Sequence, residues 1–260
     1  MKRFFFILIW VIFVTGIIVL LGFVNAEYKN SKCNDFVVSI DINNSDCFIT
    51  EDEIKLQVYQ SFDSLKGKLL SEINTEEIES MINENPYIEQ ANVYFTVNGK
   101  LKIDVVQRKP VVRVITKSNQ NLYIDVNGVL MPLNKNHVAR VLIASGNIGN
   151  SLLPPAKLKL QTDSLDQNQV LFKIYSLAKF INNNKFLNAQ IEQIYINKEN
   201  CIELIPKVGK HLIIFGDIDN MEEKFENLIA FYKNGLSKVG WDKYKKINLK
   251  YKNQVVCTKK

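Results

Sequence analysis

The hydrophobic pattern of this chain changes twice. Phe4 to Val24 is an unbroken run of 21 residues with no charged side chain. Beyond it, apolar residues recur at the spacings of strands and amphipathic helices. Phe36 to Ile42 (FVVSIDI) is apolar and β-branched and predicts a strand. Thr50 with Glu53 forms a capping box, Ile49 and Ile54 suit a hydrophobic staple, and Val58, Tyr59 and Phe62 continue one stripe of a helix. A second helix start follows at Ile73-Asn74-Thr75-Glu76-Glu77-Ile78, and Asn85-Pro86 stops it. Ala91, Val93, Phe95 and Val97 alternate, as do Leu101, Ile103 and Val105, with Asn98-Gly99 between them as a hairpin turn. The order over these 70 or so residues is β-α-α-β-β, a sheet with two helices on one face.

After Arg108-Lys109-Pro110 the elements shorten. Val111–Ile115, Leu122–Asp125 and Val129–Leu133 predict strands, with Asn127-Gly128 as a turn, and Ser145–Pro155 reads as loop. Val170–Ile181 predicts a helix with a broad apolar face. Ala189–Ile196, Cys201–Pro206 and His211–Gly216 predict strands, Met221–Ser237 a helix, and Lys245–Cys257 one closing strand. The fold class is α+β: a small β-α-α-β-β module, then a mixed β-rich domain with helices on one side.

The N-terminal run decides the compartment. At about 1.5 Å per residue it reaches about 31 Å, the span of a bilayer core. It predicts a transmembrane helix over 4–24, with Lys2 and Arg3 in a cytoplasmic tail of residues 1–3. The competing reading is a cleaved signal peptide ending at Val24-Asn25-Ala26, for which the run is too long. Either reading exports the chain. A polar linker, 25–35, follows.

Composition then removes other classes. At 47% hydrophobic and 23% charged the chain is neither disordered nor a disulfide-dense miniprotein. Cys33, Cys47, Cys201 and Cys257 contain no C-x-x-C pair, so zinc-ribbon and thioredoxin readings have no support, and the sequence assigns no disulfide. The two histidines, His137 and His211, are far apart and lack ligand spacing, and His211 opens an apolar strand. No metal, cofactor or catalytic residue is assigned. One enzymatic pattern exists: Ser176-Leu177-Ala178-Lys179 matches the S-x-x-K of penicillin-binding enzymes, with Ser145-Gly146-Asn147 and Lys207-Val208-Gly209 as partial companions. Ser176 falls in mid-helix rather than at a helix start, and the companion order is reversed, so an exported serine hydrolase is the weakest reading.

The net charge of +6 is carried by the tail: Trp241–Lys260 holds seven lysines and one aspartate, and the rest sums to near neutrality. A basic strand suits anionic lipid, nucleic acid or a blunted sheet edge. The alternation of Ile247, Leu249 and Tyr251 with Asn248, Lys250 and Lys252 favours a last strand packed on one face, whose open rim accepts an acidic partner segment as a further strand.

Taken together, these features resemble the FtsQ/DivIB family of bacterial cell-division proteins. The resemblance is carried by Asn85-Pro86-Tyr87-Ile88, by the junction Gln107-Arg108-Lys109-Pro110-Val111, by Tyr123-Ile124-Asp125-Val126-Asn127-Gly128 and by the tail Ile247-Asn248-Leu249-Lys250-Tyr251. It implies a POTRA module over 36–108 and a β domain over 109–260. It also implies a non-enzymatic divisome scaffold in the inner membrane at the septum, bulk periplasmic, that links early and late division proteins. It places an FtsB/FtsL-type complex on the terminal strand, around Leu249, Lys250, Tyr251 and Asn253, leaves the POTRA module as a second contact surface, and assigns no nucleic acid. Lys250 and Asn248 stand where the family has Arg and Asp, so a bidentate salt bridge is not expected. POTRA modules also occur in secretion and outer-membrane assembly proteins that handle extended polypeptides, which is the alternative function.

Overall fold

A computed structural model of the 260-residue chain describes residues 2–29, 31–41, 47–62, 65–135, 137–149 and 166–260. Two compact units result, Met1–Gln107 and Arg108–Lys260.

The first unit opens with helix α1, Lys2–Lys29. The expected transmembrane span over 4–24 is corrected here: among the described residues, no helix is long and apolar enough to cross a membrane, and nothing in the structure supports the expected anchoring of that segment in the inner membrane. The expected linker is also shorter, because α1 continues to Lys29. Residues 31–33 then pair with 67–70: Cys33 N–H donates to Lys68 O (2.8 Å), and Gly67 N–H to Cys33 O (2.8 Å).

The β-α-α-β-β order is present as β1 (Asp35–Asp41), α2 (Glu51–Phe62), α3 (Thr75–Asn83), β2 (Ile88–Phe95) and β3 (Lys100–Gln107). The sheet order is β1-β3-β2, with β1 parallel and β2 antiparallel to the central β3. Both helix starts follow local chemistry. Thr50 Oγ1 accepts from Glu53 N–H (3.2 Å) while Glu53 Oε2 accepts from Thr50 N–H (3.0 Å), a reciprocal box. Asn74 Oδ1 accepts from the N–H groups of Glu76 and Glu77. In the hairpin only Gly99 takes a positive φ (72°), and its N–H donates to Thr96 O; Asn98 does not take the left-handed conformation expected of it. The core lies between sheet and helices, with Ile54, Val58, Ile78, Ile82, Leu101 and Ile103 fully buried.

The second unit is one nine-stranded mixed sheet. Its strands are β4 (Pro110–Ile115), β5 (Asn121–Asp125), β6 (Leu130–Pro132), β7 (Leu142–Gly146), β8 (Ile191–Ile196), β9 (Ile202–Pro206), β10 (Leu212–Gly216), β11 (Tyr244–Asn248) and β12 (Val256–Lys259). Their spatial order is β12-β11-β10-β9-β8-β7-β4-β5-β6. The helices are α4 (Asp166–Asn183), α5 (Lys185–Gln190) and α6 (Met221–Phe231), the last continuing through a π turn, Tyr232–Leu236, into α7 (Ser237–Val239). Strand β7 corrects the loop expected from Ser145, since Ser145 and Gly146 pair in parallel with Tyr195 and Ile196; residues 150–155 of that loop lie outside the described residues. Ala189 and Gln190 belong to α5 rather than to the strand that follows. Leu171, Ile174, Leu177 and Ile181 of α4 and Phe225 and Leu228 of α6 share one core with Val112, Ile124, Ile194, Ile213, Ile247 and Leu249.

Two of the sequence motifs meet in this unit as a buried ion pair. Arg108 Nη1 donates to Asp125 Oδ2 at 2.8 Å, and both side chains are almost wholly buried. The other Asp125 oxygen accepts from the N–H groups of Asn127 (2.9 Å) and Val129 (2.7 Å), so one carboxylate shapes the turn after β5 and neutralises the guanidinium. Gly128 is required there: its φ is +78°, and a Cβ would meet the Tyr175 ring at 3.3 Å.

Candidate functional site

The expected closing strand, Lys245–Cys257, is two strands. Strand β11 runs parallel to β10, the chain turns at 249–255, and β12 returns antiparallel on the outside, pairing Asn248 with Val256 and Ile247 with Cys257. Two local devices make the turn. Asn248 Oδ1 accepts from Lys250 N–H (3.0 Å), and Asn253 adopts φ +59° with its N–H donating to Glu223 Oε1 (3.2 Å). Asn is the non-glycine residue that best tolerates this conformation. The sequence signal for the break was therefore Asn253 itself, inside what reads as an alternating run.

The four candidate partner-binding residues separate by role. Leu249 is 2% exposed, in the core, and its N–H donates to Ile214 O (2.9 Å), extending the pairing with β10. Lys250 is exposed, its stem lying across Gly216, where a Cβ would sit 2.9 Å from Lys250 Cγ. Tyr251 is 52% exposed, so the apolar alternation ends at Leu249. Asn253 is exposed in the turn. None of the four lies within a strand.

The rim is instead β12, the terminal strand in the sheet order. Backbone groups of an edge strand face alternately inward and outward. Lys260 N–H donates inward to Lys243 O (3.2 Å), so Thr258 and Val256 also face β11, and Cys257 and Lys259 direct their N–H and C=O groups outward.

A cavity of about 370 Å³ adjoins the turn, lined by Asp217, Glu223, Lys224 and residues 249–252. Its charges are largely satisfied from within. Asp217 accepts from Lys173 Nζ (2.6 Å) and Ile218 N–H (2.7 Å), and Lys224 Nζ donates to the backbone oxygen of Asp217 (2.7 Å). Burial pulls the Asp217 carboxyl upward, but these hydrogen bonds and the two lysines outweigh it and hold it below the usual carboxylate range. Burial lowers the Lys224 ammonium, with Asp219 and Asp217 opposing. Lys250, Lys252 and Tyr251 remain exposed around the turn, with no partner among the described residues. The surface suits an extended, acidic, partly aromatic or apolar segment.

Charge extends this asymmetry across the chain. Residues 31–107 hold 14 Asp and Glu against 6 Lys, net −8, whereas residues 108–260 hold 24 Lys and Arg against 12 acids, net +12. The near-neutral sum outside the tail conceals two oppositely charged units.

The other sequence candidates resolve as structural or are not brought together. Ser176 lies within α4, and Lys179 Nζ donates to Tyr175 Oη (3.0 Å). Ser145 Oγ accepts from Gln193 (2.7 Å), and Lys207 Nζ donates to Asn188 O (2.9 Å). His211 is 3% exposed and shares a hydrogen bond with Tyr232 Oη (2.8 Å) beside Trp241. Burial lowers its pKa, with a smaller push from Lys260, and burial alone raises that of Tyr232. All four cysteines are free thiols: Cys33 buried, Cys201 and Cys257 half-buried, Cys47 exposed. Among the described residues no cluster of His, Cys, Asp or Glu has the makings of a metal site.

Comparison with known families places this geometry. Residues 31–106 match the POTRA-like domain, and residues 109–258, more than half of the chain, match the family described as FtsQ/DivIB, C-terminal related. No curated protein matches the chain. These families are generally non-enzymatic and fit a cell-division scaffold acting at the division site. The chain belongs to the FtsQ/DivIB family.

Proposed function

We propose that this chain is a non-catalytic scaffold of the bacterial division machinery, and that it binds an FtsB/FtsL-type partner by strand addition at the outer rim of β12. The observation that carries this reading is the outer side of β12, unpaired among the described residues, next to a turn that exposes Lys250, Tyr251 and Asn253. An added strand would hydrogen-bond to the outward groups of Cys257 and Lys259. Its flanking residues would meet Tyr251 and the cavity beside it, and the surrounding lysines would draw an acidic segment. Residues 36–108 act as the POTRA module and 109–260 as the β domain of this scaffold. Leu249 acts through the fold, by seating the turn.

The test is affinity capture of an FtsB-type segment by the full chain. Lys259→Pro removes one outward N–H and no inward pairing. Tyr251→Lys removes an exposed aromatic contact. Capture falls in both variants while their unfolding transitions stay where the wild type's lie. Undiminished capture by both refutes the rim of β12 as the site.

A further inference from the structure

We propose that the basic unit carries a small-ligand site at the end of its sheet where β4, β7 and β8 begin, and that its ligand is a free aliphatic amino acid held as the zwitterion. In the sheet order β8 stands four strands from β12, so this site is separate from the binding proposed there.

Strands β4 and β7 pair in parallel, as do β7 and β8, so all three start at one end of the sheet. Between these strand starts and the last turns of α4 lies a cavity of about 280 Å³. Its floor is apolar: Val111, Ala178, Ile181 and Ile191 line it and are each at most 4% exposed. Pockets for drug-sized ligands run from about 300 to 1,000 Å³, so this one suits a smaller molecule.

Two opposite charges border that floor without pairing. Arg140 precedes β7 with the parity of Leu142 and Ala144, which turn toward the helices. On β8 the pairing with β9 passes from Ile191–Pro206 to Gln193–Ile205, which leaves one extra residue on β8. This bulge gives Glu192 the parity of Ile194 and Ile196 while Ile191 also stays in the core. Arg140 and Glu192 therefore share the helix-covered face, and both line the cavity. Among the described residues neither side chain has a hydrogen-bond partner or a counter-ion, so each borders the cavity instead of closing on the other. Lys207 adds a second cation, held in place. Its N–H donates to Gln190 O (2.7 Å) and its Nζ to Asn188 O (2.9 Å), which leaves further ammonium donors unused.

These groups select the ligand. Arg140 and Lys207 match a carboxylate, the guanidinium through its planar fork. Glu192 matches an ammonium, and the C-terminal end of α4, which reaches the cavity at Ile181 and Asn182, favours the same charge. The floor takes an aliphatic side chain. A phosphate would be repelled by Glu192, and a simple fatty acid would leave that carboxylate unanswered. An aliphatic amino acid carries all three complements on one small skeleton.

The experiment follows the amide resonances of the full chain during titration with D-leucine and with L-leucine. At least one enantiomer shifts the amides of Val141, Leu142, Asn182 and Glu192 saturably. Two analogues, 4-methylpentanoate without the ammonium and 3-methylbutylamine without the carboxylate, bind at least about tenfold more weakly, as expected for one lost charge-assisted hydrogen bond. Arg140→Ala weakens leucine binding by a similar factor, and Glu192→Gln abolishes the preference for leucine over 4-methylpentanoate. Should Arg140→Ala unfold, Asn182→Trp, which blocks the mouth from an exposed helix position, takes its place. Lys259→Pro leaves leucine binding unchanged, which separates failure here from failure at β12. The proposal is overturned if neither enantiomer gives saturable shifts, if Arg140→Ala binds leucine undiminished, or if either analogue binds as tightly as leucine. Inorganic phosphate that shifts the same amides as strongly would make this a plain anion site and overturn it equally.

Discussion

The two sheets solve the edge problem differently. In the acidic unit, α3 lends Glu79 and Asn83 to the backbone of β2 and closes that side with side chains. In the basic unit, β12 ends the nine-stranded sheet with no such cover among the described residues, bordered by lysines and only four residues long. A side chain hydrogen-bonded to an edge amide is a permanent occupant; a short lysine-bordered edge is open to a partner of the right charge. The contrast gives one chain two sheet edges of different availability.

The largest effect expected from breaking this comparison is on the frame of the basic unit. Asp125→Ala leaves the buried Arg108 guanidinium without its counter-charge and removes the acceptor of two turn amides. It costs about 3–5 kcal/mol of stability, read by denaturant unfolding. Next is the division of labour inside the candidate site. Leu249→Ala opens a hole beside Ile247 and destabilises by about 2–5 kcal/mol, whereas Tyr251→Ala changes stability by less than about 0.5 kcal/mol and weakens partner capture. Equal destabilisation by the two would erase the distinction between seating residue and contact residue.

Smaller is the cap of α3, the helix that closes β2. Asn74→Ala costs about 1 kcal/mol, and hydrogen exchange at Ala91 and Val93 accelerates as their acceptors loosen. Smallest is a pH effect confined to the basic unit. The folded-state pKa of His211 lies below its ordinary value of 6.5, so the unfolded chain takes up the proton first as pH falls. The stabilisation is whole above about pH 6.5 and is lost progressively as pH drops through the lowered pKa. Melting temperatures between about pH 7.5 and pH 5 record the fall, and His211→Phe flattens it.

Much of the acidic unit was legible because its signals are local. Thr50 and Glu53 cap each other within one turn, Asn74 caps within three residues, and Gly99 alone fills the positive-φ position of the hairpin. What escaped depends on distant partners. Strand β7 is short, with only Ala144 fully buried, and exists because β4 and β8 flank it. The split of the closing run at Asn253 needed Glu223, thirty positions away, to fix the turn. The ion pair joining Arg108 to Asp125 was visible only as two separate motifs. The N-terminal run reads from its apolarity as a membrane span, which the described helix does not support. Of the site, the tail and its charge were legible; that the open rim lies on residues 256–259 rather than at Leu249–Tyr251 was not, because alternation looks the same on either side of a turn.

The central claim is that this scaffold lends the outer backbone of β12 to a partner. Residue-resolved amide hydrogen exchange of the full chain, with and without an FtsB-type segment, tests it most directly. The account predicts slowed exchange at Cys257 and Lys259, whose amides face outward, with little change at Thr258, already paired to β11. Unchanged exchange at Cys257 and Lys259 in a complex that demonstrably forms would contradict it.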